Sequence, residues 1–441
     1  MFKNNSGTEE QELSPKQHGR RSVMLGTGTA AVMGAVAAAF GPGLSRGADA
    51  ADAKPENGLV GERLLHLKST IEDDIKRGLY YGAVILVAQH GVIGLHEAIG
   101  YTNAKDGRPV TKDSVFTLFS TTKALTNVLA YRAIGRGEFA LTTKVSEVIP
   151  GFSGRRRGDI TFYDLLTHCS GLSPVFTPKA GMPIDNLEEV VDAICKYVDS
   201  VEQPEALVTY APMAGQALIG WATHLTDPKK RSYRQLVQDE ILTPLKMKDT
   251  SIGVRADLKA RHIFPVFMDE AAGAGMALIH LGHENLGPNG IFASETAEMP
   301  WVGAHATGSD IFRFAEMLRR GGELDGVRII SPAILDKATR NWTGDKPNQL
   351  YKQLAIARGW EPYPAYIGLG FELRGEAICH HMFGTLTSPR TFGNYGAGSS
   401  LFWVDPERDM TFVCLAAGVM EESANIERFQ RLSDIAISAA L

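Results

Sequence analysis

The stretch VFTLFSTTKALTNVLAYRAIG, residues 115–135, joins a short apolar run to a helical pattern that begins near Ser120. Ser120 and Lys123 are three residues apart, so on a helix they lie on the same face. A serine in the first helical turn lies near free backbone N–H groups and the positive end of the helix dipole, which favour an oxyanion. A nearby lysine accepts the serine proton if burial lowers its pKa. Taken alone, the pair fits a capped helix start better, because about one chance Ser-x-x-Lys match is expected in such a chain.

The composition is that of an ordinary globular protein. The 441 residues are 44% hydrophobic and 22% charged, with a formal net charge of −5. An acidic chain argues against a nucleic-acid partner, which would favour a basic patch. The dense basic run 155–157 lies between two glycines and is predicted to be a solvated loop.

The first 53 residues differ in composition from the rest of the chain. Residues 1–19 are polar and are predicted to be disordered. Arg20 and Arg21 then precede a long uncharged stretch rich in Ala and Gly, and residues 48–50 suit signal-peptidase cleavage. This pattern predicts a twin-arginine export signal and a periplasmic or extracellular protein that meets the membrane only through that signal. A transmembrane anchor is the alternative, which the weak hydrophobicity of the stretch disfavours.

The cysteines and histidines give no metal pattern. Cys169, Cys195, Cys379 and Cys414 show no CxxC or CxxH spacing, and two of them lie in apolar runs typical of buried thiols. His305 has no partner histidine at helical spacing. No metal and no cofactor are therefore predicted.

Strand patterns lie at both ends of the mature chain, and helical patterns fill its middle. Residues 81–101 predict two strands joined by a His90-Gly91 turn, and strand patterns return at 365–373, 399–405 and 410–418. The simplest assembly is an α/β fold of the α+β type, in which one antiparallel sheet flanked by helices contains both chain ends. The central helices form a second, all-α lobe, and the site is expected in the cleft between the lobes.

These patterns also predict the domain boundaries. A disordered N-terminus and signal peptide occupy residues 1–53, and one catalytic domain occupies 56–441. Within that domain, the predicted α/β lobe comprises about 56–117 and 345–441, and the predicted helical lobe comprises about 118–344.

Longer motifs follow one another in a fixed order around and after the serine. DSVFTLFSTTKALTNVLAYRAIGRGEFALTTKVSEVIPGF, residues 113–152, precedes ITFYDLLTHCSGL at 160–172. ILTPLKMKDTSIG, ATGSDIFRFAEMLRRGGELDGVRIISP and FGNYGAGSSLFWVDPERDM come later. In these motifs the sequence resembles the serine β-lactamase and penicillin-binding-protein superfamily, specifically its class C and esterase branch. The resemblance runs through nearly the whole mature chain and implies a β-lactamase/transpeptidase-like fold.

The resemblance implies that Ser120 is the acylated nucleophile and Lys123 its hydrogen-bonded partner, and it leaves the acylation base open. The family's second motif, Tyr-x-Asn, is matched by VTYAPMAGQALIGW from Tyr210. A nearby ammonium favours a phenolate, so we expect Tyr210 to relay protons as general base and then acid. A core tyrosine beside a helix is the alternative interpretation. Pro212 replaces the family's Asn, so the contact of that amide with substrate is absent.

The family's third motif, Lys-Thr-Gly in lactamases and often His-x-Gly in related esterases, is matched by Asn394-Tyr395-Gly396. The resemblance implies that the backbone N–H groups of Ser120 and Ala397 form an oxyanion hole, where each donor can be worth about 10²–10³ in rate. Gly396 has the small profile that a close backbone approach requires. Asn394 carries no charge, which puts binding of a substrate carboxylate in doubt. A simple strand turn is the alternative for this stretch.

The motif LLTHCSGL contains two further polar side chains, His168 and Ser170. A Ser-His pairing is conceivable there, but the Ser-Gly turn after a helical pattern predicts a structural role for both residues.

We therefore expect an exported serine hydrolase that forms an acyl-enzyme on Ser120 and acts on a small ester, amide or β-lactam-like compound. Esterase-type chemistry is favoured over a β-lactamase or a D-alanyl-D-alanine carboxypeptidase, because both of these must recognise a substrate carboxylate. A non-catalytic binding protein that has kept the fold is the alternative from another class, since Pro212 and Asn394 depart from the motifs. The natural substrate and the oligomeric state stay open.

Overall fold

The computed structural model describes residues 58–104, 107–268, 290–397 and 400–441. The predicted disordered N-terminus and export signal lie outside these residues and stay predictions. Within the described ranges, no helix combines the length and the hydropathy that crossing a membrane requires.

Helices and strands alternate along the chain. The α-helices are α1 Gly61–Lys76, α2 Lys123–Gly135, α3 Val145–Val148, α4 Phe162–Leu166, α5 Leu187–Tyr197, α6 Ala214–Thr226, α7 Tyr233–Val237, α8 Gly308–Arg319, α9 Pro332–Ala338, α10 Gln349–Ala357 and α11 Glu422–Ile437. The 3₁₀ turns are Phe119–Thr122, Pro150–Phe152, Ala256–Arg261 and Ile291–Ala293, and a π-helical turn spans Gln238–Leu242. The strands are β1 Gly82–Gln89, β2 Val92–Gly100, β3 Val115–Thr117, β4 Ser251–Ile252, β5 His262–Ile263, β6 Ala304–Ala306, β7 Glu323–Leu324, β8 Val327–Arg328, β9 Glu372–Leu373, β10 Phe392–Gly396, β11 Ser400–Asp405 and β12 Met410–Ala417.

The main sheet contains strands from both ends of the described chain. Its order is β2-β1-β12-β11-β10-β9, and each neighbouring pair is antiparallel. The predicted hairpin between β1 and β2 is confirmed, with His90 at φ 54° and Gly91 at φ 78°. Left-handed conformations at both positions are those of the two-residue turn that best matches the twist of a hairpin.

Both faces of this sheet are buried. Along β1, Val84 and Leu86 face one apolar cluster, whereas Ile85 and Val87 face a second cluster on the opposite side. Helices α1 and α11 cover the second cluster, and α8 packs on the first. The predicted fold class, an antiparallel sheet flanked by helices with a helical region beside it, is confirmed.

Helix α8 lies within the range predicted for the helical lobe, but it packs against β1, β11 and β12 of the main sheet. The ring of Phe314 on this helix meets that of Phe402 on β11 edge to face, with centroids 5.8 Å apart. The apolar side of α8 therefore belongs to the core beside the main sheet. The exact boundaries between the two predicted lobes stay a prediction.

The region 365–373 shows less strand than its apolar pattern predicts. Only β9, Glu372–Leu373, pairs with β10, and the residues before it are irregular, with an isolated bridge between Ile367 and Glu372. A second sheet, in the order β4-β6-β3-β5, was not predicted. Its strands have two or three residues each, which is too short to show a period in the sequence.

The prediction of a solvated basic loop is wrong for one of its three arginines. Arg155 and Arg156 are exposed, but Arg157 is buried. Its guanidinium donates to the backbone carbonyls of Ile194 and Cys195, each at 2.9 Å. These carbonyls lie in the last turn of α5, where the helix dipole favours a cation.

Candidate active site

Ser120 lies in the 3₁₀ turn Phe119–Thr122, which leads directly into α2. Phe119 has a left-handed backbone with φ 47°, which costs a non-glycine residue about 1–3 kcal/mol. Its side chain is buried, and its ring meets that of Phe292 edge to face at 5.2 Å. Burial of this ring holds the strained turn in place and with it the position of Ser120.

The main sheet is tied to the same turn. The Ser400 hydroxyl donates to Leu118 O at 2.6 Å, so Thr121 Oγ1 is the donor in its 2.9 Å hydrogen bond to Ser400. A Cβ atom added to Gly396 would lie only 2.2 Å from Leu118 O. Strand β10 therefore approaches the serine turn as closely as backbone contact allows, and this requires glycine at 396.

The structure brings three of the predicted site residues together. Lys123 Nζ lies 2.8 Å from Ser120 Oγ, and the Tyr210 hydroxyl lies 2.7 Å from the same oxygen. Lys123 Nζ also donates to Trp301 O at 3.0 Å. This is the geometry in which a base reaches a nucleophile, and the catalytic roles of the three residues stay predictions.

Burial moves the pKa values of the two groups beside Ser120 in opposite directions. It raises the pKa of the Tyr210 phenol and lowers the pKa of the Lys123 ammonium well below its ordinary range. Both shifts oppose the expected phenolate, because they favour the protonated phenol and the free amine. The Tyr210 hydroxyl and Lys123 Nζ both donate to Ser120 Oγ, and Lys123 Nζ also donates to Trp301 O.

Two neighbouring loops hold Tyr210 in place. Its backbone N–H donates to Asn348 Oδ1 at 3.3 Å, and the backbone N–H of Thr209 donates to His168 O at 2.9 Å. The ring of His168 lies 4.8 Å from that of Tyr210, and burial lowers the pKa of this histidine to about 3. A structural role for His168 agrees with this geometry, because the neutral ring packs on Tyr210 and makes no hydrogen bond to Ser120 among those of the described residues.

The third motif lies on β10, beside the other two. Asn394 and Tyr395 line the same cavity as Ser120, and Asn394 Nδ2 donates to Gly370 O at 3.1 Å. Ala397 follows the strand directly and is half-buried. Its proposed part in an oxyanion hole stays a prediction.

Two residues of this cavity were not predicted from the sequence. Asn348 begins α10, and its side chain accepts from Leu350 N at 3.1 Å as well as from Tyr210. Glu372 lies on β9, where burial and the nearby Glu422 raise its pKa to about 8. An acid inside the apolar run 365–373 was the available signal for Glu372, whereas nothing in the sequence connects Asn348 with Tyr210.

Burial disfavours positive charge on the basic side chains that line the cavity. It lowers the pKa values of His168 and His381 to about 3 each and that of Lys123 well below its ordinary range. The two histidines are therefore uncharged near neutral pH and offer no positive charge to a substrate carboxylate.

Metal-ligating side chains do not cluster in the part of the chain that the structure describes. No group of three or more His, Cys, Asp or Glu is arranged there to hold an ion, and the four cysteines are free thiols. His305 does have a histidine neighbour, because its Nδ1 lies 3.0 Å from Nε2 of His262. Both rings are buried and share the hydroxyl of Thr117.

Comparison with known proteins identifies the family. Residues 67–436 match the family model described as Beta-lactamase. The chain belongs to the β-lactamase family. This membership confirms the predicted superfamily, and the chain is a serine hydrolase of the β-lactamase-related type.

Several members of the β-lactamase family are similar over much of their length. The esterase/beta-lactamase LipL of Mycobacterium tuberculosis is 26% identical over 333 residues, covering 71% of this chain and 71% of LipL. Penicillin-binding protein 4 of Amycolatopsis lactamdurans is 28% identical over 290 residues, covering 64% of this chain and 71% of that protein. The crystal structure of a penicillin-binding protein homolog from Caulobacter crescentus has a TM-score of 0.66 at 21% identity, covering 87% of this chain and 99% of that one. That likeness bears on the fold alone.

Proposed function

We propose that the protein hydrolyses small carboxylic esters through an acyl-enzyme on Ser120. The observation that carries this proposal is the position of Ser120 Oγ, 2.8 Å from the Lys123 amine and 2.7 Å from the Tyr210 hydroxyl. Burial lowers the pKa of Lys123, which favours the free amine, and the lone pair of that amine accepts the serine proton as the nucleophile attacks.

The steps balance without any further reactant except water. Ser120 Oγ bonds to the ester carbonyl carbon while its proton moves to Lys123 Nζ, and the resulting oxyanion is held by the backbone N–H groups of Ser120 and Ala397. The C–O bond to the alcohol then breaks, Tyr210 donates its proton to the leaving alkoxide, and Tyr210 regains a proton from the Lys123 ammonium. Water attacks the acyl-enzyme with the same residues in the same roles, which releases the acid and restores Ser120.

We favour esters over β-lactams and D-alanyl-D-alanine peptides as substrates because of the charge that the cavity offers to a substrate. Both of these substrate classes carry a carboxylate, whereas the cavity histidines His168 and His381 are neutral near pH 7 and burial lowers the pKa of Lys123. Asn394, where β-lactamases have a lysine, supplies no charge either. The name of the relative LipL, an esterase/beta-lactamase, is compatible with either substrate class.

The experiment uses the purified protein with a fluorophosphonate probe, a labelled penicillin and 4-nitrophenyl butanoate. We expect the fluorophosphonate to modify Ser120, as identified by mass spectrometry of the labelled peptide, and Ser120→Ala to abolish ester turnover. Ser153→Ala, at an exposed position, is the matched control, and we expect it to keep both fluorophosphonate labelling at Ser120 and ester turnover. Ester turnover that survives Ser120→Ala, or folded protein that neither probe labels at Ser120, contradicts the proposal. Penicillin that labels Ser120 and leaves slowly, without ester turnover, favours the carboxypeptidase.

A further inference from the structure

The cavity beside Ser120 contains buried polar atoms that the protein itself does not satisfy. Within the described residues, Glu372 Oε2, Asn394 Oδ1 and the Tyr363 hydroxyl are buried without a hydrogen-bond partner, and all three residues line this cavity. The Asn394 amide is oriented by its donation to Gly370 O, which leaves its oxygen as the free atom. An unsatisfied buried group costs about 1–3 kcal/mol, so three in one cavity are more typical of a ligand site than of a core.

Two of these free atoms, Glu372 Oε2 and Asn394 Oδ1, are oxygens that can accept hydrogen bonds, and the first belongs to a carboxyl group. Glu372 accepts a hydrogen bond from the backbone of Tyr395, whose hydroxyl in turn donates to Glu422 at 2.8 Å. The pKa of Glu372 is raised to about 8 by burial and by Glu422, against the opposing effect of Lys123. A cation in the cavity would stabilise the carboxylate that burial disfavours, and an anion would be repelled.

Aromatic faces complete this side of the cavity. The ring centroids of Tyr210 and Tyr351 lie 6.4 Å apart, and those of Tyr351 and Tyr363 lie 6.4 Å apart as well. All three tyrosines line the cavity, and the electron-rich faces of such rings attract organic cations.

We propose that this cavity binds the primary ammonium group of a cationic substrate, with Glu372 and Asn394 accepting its hydrogen bonds beside the ring of Tyr363. A primary ammonium has three N–H donors and a positive charge, which match two free acceptor oxygens, one of which belongs to the carboxyl group of Glu372. The proposal rests on the proposed function, because it places the charged group on the ester that Ser120 attacks.

The test compares three small molecules of similar shape and different charge, namely butylammonium, butan-1-ol and butanoate, at pH 8.5. Each is measured as a competitive inhibitor of 4-nitrophenyl butanoate hydrolysis. We expect butylammonium to inhibit with a Ki lower than that of butan-1-ol by about tenfold or more, as a hydrogen-bonded charge pair predicts, and butanoate to inhibit least. In Glu372→Gln this ratio falls close to one. Glu376→Gln, which removes an acid at an exposed position of the same segment, keeps the ratio.

A second measurement does not need turnover. The Ser120→Ala variant is heated with each of the three compounds at one concentration, because a ligand of the folded state raises the melting temperature, and a tighter ligand raises it more. We expect stabilisation by butylammonium alone, and no such stabilisation after Glu372→Gln is added. Equal effects of butylammonium and butan-1-ol overturn the ammonium proposal, even where ester turnover depends on Ser120. Absence of ester turnover with selective stabilisation by butylammonium instead overturns the proposed function and keeps the binding site.

Discussion

Lys123 and Tyr210 both contact the Ser120 hydroxyl, but burial moves their pKa values in opposite directions. The lowered pKa of Lys123 favours the free amine, which can act as a base, and the raised pKa of Tyr210 favours the protonated phenol, which can act as an acid. The proposed roles follow from this difference, with Lys123 as the general base and Tyr210 as the general acid.

Replacement of Tyr210 by phenylalanine tests the proposed role of Tyr210 as the general acid. Tyr210→Phe removes the hydroxyl 2.7 Å from Ser120 Oγ and keeps the ring that packs on His168. We expect kcat for 4-nitrophenyl butanoate to fall by about 10²–10⁴, with KM changed little, because the lost interaction is a proton transfer in the transition state. Steady-state kinetics measure both constants.

Tyr197→Phe is the control for this substitution, since that tyrosine is exposed on α5. Its kinetic constants should equal those of the unaltered protein. A Tyr210→Phe variant with unchanged kcat would remove Tyr210 from the mechanism and leave Lys123 to return the proton alone.

At the scale of elements, the site depends on the approach of β10 to the turn that precedes α2. Gly396 lies against Leu118 O, and Ser400 on the adjacent strand binds the same carbonyl. The turn belongs to the helical region, and the strand belongs to the sheet. Their contact therefore fixes the distance between the nucleophile and strand β10.

A methyl group at Gly396 tests this contact. In Gly396→Ala the added Cβ would lie 2.2 Å from Leu118 O and 2.2 Å from Ser400 Oγ, so the strand and the turn must move apart. We expect a loss of about 1–3 kcal/mol in the free energy of unfolding and at least a tenfold fall in kcat/KM. Urea unfolding measures the first quantity and ester hydrolysis the second.

Gly158→Ala is the matched control, because a Cβ atom at that position meets nothing within 4 Å. It should keep both the stability and the activity. If Gly396→Ala were also fully active, the close approach of β10 would not be needed for the site.

At the scale of the whole molecule, buried titratable groups make stability depend on pH in two opposite ways. The pKa values of Glu372 and Glu422 rise from 4.5 to about 8 on burial, so their contribution to stability is lost as the pH rises from 4.5 through 8. The pKa values of His168 and His381 fall from 6.5 to about 3, so their contribution is lost as the pH falls from 6.5 through 3. Above pH 6.5, of these four groups, only Glu372 and Glu422 change the free energy of unfolding with pH, and they lower it as the pH rises.

The resulting prediction concerns Glu422, which lies on α11 and is not among the residues that line the cavity of Ser120. We expect the free energy of unfolding to decrease between pH 6.5 and 8, with each acid contributing up to about 1.4 kcal/mol per pH unit. Glu422→Gln keeps an acceptor for the hydroxyl of Tyr395 but does not titrate, so the decrease should be shallower. Urea unfolding at a series of pH values measures the slope.

Glu427→Gln provides the comparison, since Glu427 is exposed on the same helix. Its slope should match that of the unaltered protein. An unchanged slope in Glu422→Gln would show that this carboxyl is ionised in the folded state at pH 6.5.

Much of the fold could be predicted from the sequence, because the relevant patterns are either local or consist of motifs in a fixed order. The β1–β2 hairpin is encoded by two apolar runs around His90-Gly91, and the superfamily by several motifs that recur in one order. The short strands of the second sheet gave no signal, because two or three residues cannot show a period. The buried Arg157 was missed for a similar reason, since its carbonyl partners on α5 lie 37 residues or more away along the chain.

By itself, the sequence determined the family, the fold class and the two residues, Lys123 and Tyr210, that contact the Ser120 hydroxyl, because motif spacing and apolar periodicity are properties of the chain. Only the tertiary structure decided the directions in which the pKa values of Lys123 and Tyr210 shift, since these depend on burial among residues distant in sequence. It likewise decided that Glu372 lies in the cavity of Ser120, since β9 reaches that cavity only by pairing with β10. Residue identities supply the chemical groups of this site, and burial sets their charge.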